Sequence, residues 1–163
     1  MIFLMFWALA VAAAVIHVTA AELWRRPSER ATAFLLYQLT VGLGVAELIV
    51  FVGHALRPAE TAARIGWPTS PNFQYELGAV GLGMAIASLL STLIRNRHYW
   101  LGVALSPSIF MILAASNHLR DALAGNLASY NVVTVVPDLL IPATLAWFLY
   151  RVFTLALARG ASR

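Results

Sequence analysis

Apolar residues fill five long stretches of this chain, and polar residues gather in the intervals between them. The stretches run roughly Ile2–Leu23, Phe34–Leu56, Leu77–Ile94, Trp100–Leu119 and Tyr130–Phe153. Each approaches the ~20 residues that carry a helix across a hydrocarbon core of ~30 Å. The pattern predicts an all-α protein, an integral membrane bundle of five transmembrane helices forming one domain over residues 1–163. The first stretch has no positive lead and is followed by arginines, the reverse of the charge order in a cleaved signal peptide, so it reads as a membrane helix.

The intervals are Trp24–Arg30, Arg57–Glu76, Arg95–Tyr99 and Arg120–Ser129. None is long enough to separate domains, and the sequence has no internal repeat. The second carries Trp67, Pro68, Pro71 and Phe73 and is too apolar for a free linker. It is expected to fold back over one end of the bundle as a lid. Gly42, Gly44, Gly78, Gly81 and Gly83 lie inside spans, where small residues let helices approach closely. Pro107, Pro137 and Pro142 each free a backbone carbonyl within a span.

Composition agrees. Hydrophobic residues make up 61% and charged residues 11% of the chain, where soluble domains carry about 25% charged residues. A net charge of +4 could suit nucleic acid, but the basic residues flank the apolar stretches and act as topology signals. The expected partner is therefore the lipid bilayer, with no nucleic acid. Arg25, Arg26, Arg30, Arg95, Arg97, Arg151, Arg159 and Arg163 fall on one side of a five-span bundle; Arg57, Arg64 and Arg120 fall on the other. The positive-inside rule then puts the N-terminus outside and the C-terminus in the cytoplasm of a multi-pass cell-membrane protein.

Two absences prune the chemistry. Without cysteine there are no disulfides, iron–sulfur clusters or thiolate-ligated haem. All eleven basic residues are arginine, so no lysine can form a Schiff-base cofactor.

Seven polar side chains stand where hydrocarbon would make them costly, toward one face of the bilayer: Glu47, His54, Glu76, Asn117, His118, Asp121 and Asp138. Glu47 and Asp138 lie at matching depth, ~13 Å and ~12 Å from the ends of their spans by helix rise. Two close buried carboxylates cannot both ionise cheaply, so this pair suits a shared proton or a relay. His54 lies seven residues from Glu47, nearly two turns, and points the same way. Asn117, His118 and Asp121 are spaced to share a helix face. Glu76 is expected to open its helix, where an acidic residue complements the dipole.

These residues are expected to line one externally facing cavity that binds a small ligand or a metal ion. A divalent metal such as Zn, Fe or Mn would be held by His54, His118 and Asp121. Haem b between His54 and His118 is the second cofactor reading. Plainer roles stand beside these: a dipole charge for Glu76, a solvated helix end for His118 and Asp121, and snorkelling for His54. Trp67, Trp100, Trp147, Tyr75, Tyr99 and Tyr150 fit an aromatic belt. His17 reads as a hydrogen-bonded packing residue.

The string Gly66-Trp67-Pro68 … Ser70-Pro71 … Phe73-Gln74-Tyr75-Glu76-Leu77-Gly78 resembles a family of small prokaryotic multi-helix membrane proteins with no assigned function. Asn117-His118, Gly125-Asn126 and Asp138-Leu139-Leu140-Ile141-Pro142 continue the resemblance, which covers roughly 62–150. The first two helices match only in hydropathy. The resemblance implies a prokaryotic inner-membrane location and lends no activity. The rival functions are a non-catalytic accessory subunit of a larger membrane complex or homo-oligomer, and a small proton-coupled transporter.

Overall fold

Six helices form among the described residues, 2–161, of the computed structural model; side chains are described from 2 to 158. Helix α1 spans Ile2–Ala20. Glu22 turns the chain at φ 54°, and one 3-10 turn, Leu23–Arg25, leads to α2 at Pro27–Leu56. A short α3, Pro58–Ile65, is followed by α4 at Pro71–Leu90, α5 at Arg97–Leu123 and α6 at Ser129–Ala161. Every helix except α3 is long and apolar enough to cross a membrane.

Three starts are set by proline. Pro27, Pro58 and Pro71 each occupy the first turn, where the missing N–H leaves no bond unmade. This corrects two expectations. The second span begins at Pro27, not Phe34. The Arg57–Glu76 interval is mostly helix: α3, a five-residue turn, and the first turns of α4. Helix α5 starts on the Asn96 side chain, which accepts from the backbone N–H groups of His98 and Tyr99.

Helix α2 is central. Leu35, Leu39 and Leu43 follow at i,i+4 and are fully buried against Trp100, Ala104 and Met111 of α5 and Ile141, Leu145 and Leu149 of α6. Ala10, Ala14 and Val18 bury the matching stripe of α1. At Gly42 a Cβ would stand 2.8 Å from Gln38 Oε1 and in ordinary contact, 3.5 Å, with the Ala10 Cβ of α1. Two stretches of α2, Gln38–Val45 and Val52–Leu56, wind as π-helix on either side of Glu47. Helix α4 packs on α2 through Gly78 and Gly81 and makes little contact with α5, leaving space between α4 and α5.

The arginine signals divide between the two ends. Arg57 and Arg64 share the end where Asn126 bonds the Ile65 carbonyl. Arg159 and Arg163 lie outside the described side chains.

Candidate functional site

The space between α2, α4, α5 and α6 is a cavity of about 320 Å³. Four of the seven expected residues line it: Glu47, His54, His118 and Asp138. Ile49, Val50, Val80, Met84, Phe110 and Met111 supply much of the apolar wall. Helix α3 and Trp67 close one end, so the expected lid exists as a helix rather than a loop.

Glu47 is 2% exposed, and its Oε1 has no hydrogen-bond partner. The carboxyl fits because residue 81 is glycine, since a Cβ there would stand 3.0 Å from Glu47 Oε2. Asp138 is 5% exposed and lies one residue after Pro137 within α6. The ion pairs among the described residues are Arg26–Glu29, Arg57–Glu60 and Arg64–Glu60, all on exposed side chains. Thus Arg57 and Arg64, which also line the cavity, both pair with Glu60.

The histidines are held by amides that the sequence reading did not single out as partners. His54 Nδ1 bonds Gln74 Oε1, leaving Gln74 Nε2 buried without a partner. His118 Nδ1 lies 2.8 Å from Asn131 Oδ1, and the Asn131 amide donates to the backbone carbonyls of His118 and Asn126. Asn131 is fully buried. Gln74 is the fourth residue of α4 and Asn131 the third of α6. Trp67 does not belong to an outer aromatic belt. Its ring stacks on His118, 5.5 Å between centroids and 12° between planes.

The other three expected residues lie elsewhere. Glu76 is exposed and occupies the sixth position of α4, so it does not open that helix. Asn117 is exposed and does not line the cavity. Asp121 is half-buried and fastens the lid: its Oδ2 accepts from Trp67 Nε1 at 3.1 Å and from Asn126 Nδ2 at 2.7 Å. The triplet His54, His118 and Asp121 is therefore divided between cavity and latch, and no three His, Cys, Asp or Glu side chains among the described residues gather as a metal-holding set. His17, outside the site, bonds the Tyr37 hydroxyl at 3.2 Å.

The latch needs Gly66, which ends α3 at φ 78° with the Asn126 amide where a Cβ would stand. Gly66→Ala is expected to lose about 1–2 kcal/mol from backbone strain, plus the cost of displacing Asn126. Gly66→Ala in an Asn126→Ala background isolates the backbone contribution, because the strain at residue 66 stays while the clash with the Asn126 amide goes. Unfolding in bicelles should find Gly66→Ala to cost more in the native background than in Asn126→Ala; equal costs would remove the latch.

A bundle of membrane-length helices around a mostly apolar cavity with buried carboxyl groups defines the class. The model of a family of unknown function, DUF6790, matches residues 1–155, and the chain belongs to that family. The match takes in α1 and α2, beyond the region where sequence motifs carried the resemblance. No curated protein and no solved structure matches the chain.

Proposed function

We propose that this protein works within a cell membrane and holds a small amphipathic molecule in the α2–α4–α5–α6 cavity. The observation that carries this reading is Glu47. A buried polar atom without a partner costs about 1–3 kcal/mol, and a ligand donor is the group that would remove the cost. The volume lies at the small end of the ~300–1,000 Å³ typical of small-molecule sites, and the walls have the apolar character of such sites. His54 and His118, each oriented by an amide, are further hydrogen-bonding groups lining the same cavity.

The arginine distribution supports placing the cavity end outside and the opposite end in the cytoplasm. The lid then faces the exterior. Neither a metal centre nor a subunit role has an observation of comparable weight.

The test is photolabelling in nanodiscs with diazirine-bearing decyl probes that carry a hydroxyl, ammonium or carboxylate head. At least one should label peptides of the cavity wall saturably. Ala114→Phe, which puts a ring into the cavity from α5, should cut that labelling about tenfold while leaving the unfolding midpoint near wild type. Labelling that no unlabelled competitor displaces would sink the reading.

A further inference from the structure

Val80 and Phe110 both line the cavity and are 49% and 38% exposed. Val80 sits midway along α4 and Phe110 midway along α5, two helices that make little contact with each other. A passage between them would open at mid-span, at the depth of hydrocarbon for helices of this length. At the other end the cavity is lined by the exposed side chains of Arg57, Glu60 and Arg64, beside Trp67, which is stacked on His118 and tied to Asp121. A route from the lipid side, between α4 and α5, reaches Glu47 past apolar side chains and leaves that latch in place.

What waits in the buried part of the cavity is acidic. Glu47 offers an unpartnered acceptor oxygen, and Asp138 puts a second carboxyl into the same cavity. Arg57 and Arg64 line the same cavity, but they pair with Glu60 on side chains 68% and 56% exposed, whereas Glu47 is buried. Two carboxyl groups in one low-dielectric space repel unless a proton or a cation comes between them. A neutral donor would satisfy Glu47 Oε1 alone. A positively charged donor would satisfy it and also balance the pair.

We propose that the ligand class is a lipophilic organic cation, an amine or ammonium head on an apolar body, admitted from the bilayer between α4 and α5 and held by Glu47 with Asp138. This rests on the cavity reading above. The body would lie along Val80, Met84, Phe110 and Met111, and the head would reach Glu47 beside Gly81.

The experiment uses the full chain in zwitterionic nanodiscs, labelled with the decylammonium diazirine probe. Unlabelled decyltrimethylammonium, decylammonium, decanol and decanoate compete. Decylammonium should displace the probe at concentrations about tenfold or more below decanol, with decanoate weakest, because a charge-assisted bond exceeds a neutral one. Decyltrimethylammonium has charge but no N–H, so a position between decylammonium and decanol supports a direct bond to Glu47 Oε1. Glu47→Gln keeps the shape of the side chain and should bring decylammonium and decanol to within about threefold of each other, while Asp138→Asn narrows the gap less. Equal competition by decanol and decylammonium in the wild type, or a preference for decanoate, overturns the cation class and leaves the cavity reading standing. Saturable labelling by none of the probes overturns both. Replacement of Val80 by Trp should slow labelling at unchanged saturation, and unchanged rates would overturn the lateral route.

Discussion

Asn131→Ala is expected to lower unfolding free energy by about 2–4 kcal/mol, since three hydrogen bonds between segments go at ~0.6–1.7 kcal/mol each in a bilayer. The side chain is fully buried, so no water replaces what is lost. His118 Nδ1 and two backbone carbonyls are left to find partners. The loss should also reach the lid, because His118 carries the Trp67 ring and the Asn126 carbonyl belongs to the turn beside the latch. Urea unfolding in mixed micelles reads the first effect, and the difference in tryptophan fluorescence from a Trp67→Phe variant, which keeps the other four tryptophans, reads the second. A change within about 0.5 kcal/mol of wild type, the range of an ordinary surface substitution, would show that the amide does not hold α5 to α6.

Gly78→Leu is expected to cost about 3 kcal/mol, the upper range for overpacking. The reason is what stands opposite. A Cβ at 78 would lie 3.0 Å from the Ala55 backbone nitrogen and 3.1 Å from its Cβ, neither of which can swing aside. Helix α4 must then retreat from α2. Gln74 stands one turn earlier on the same face of α4, so the His54–Gln74 bond goes with it. Gly83→Leu is the control, because a Cβ there meets nothing within 4 Å. The two variants carry the same loss of glycine and the same added side chain, so their difference reports the α2–α4 approach. Equal stability would show that α4 is not held by that approach.

The five spans were legible because a bilayer demands length and apolar character, and both are written in composition. Their ends were less legible. Ser28, Glu29 and Arg30 look like loop residues, yet Pro27 places them in the first turn of α2. Pro58 and Pro71 did the same within an interval read as a loop, and Gly66 separates the two helices they start. The buried carboxyls were legible through depth alone. Glu47 and Asp138, counted to matching levels, do line one cavity. Glu76 went astray because its helix starts at Pro71 and not at Leu77. Asp121 has the face that spacing predicts, but its partners, Trp67 and Asn126, come from turns whose path no periodicity describes. Gln74 and Asn131 escaped notice as single amides, since their meaning appears only beside His54 and His118.

The π-wound stretch Gln38–Val45 bears on chain length. A π turn closes over one more residue than an α turn, so this stretch of α2 stores a surplus residue without turning the rest of the helix out of phase. A chain one residue shorter between Gln38 and Val45 could rewind it as ordinary α-helix, still presenting Leu35 to the core and Glu47 to the cavity. Aligned relatives should therefore tolerate a single-residue gap there, whereas a gap at residues 48–51, in the α-wound stretch after Glu47, would swing His54 about 100° away from Glu47.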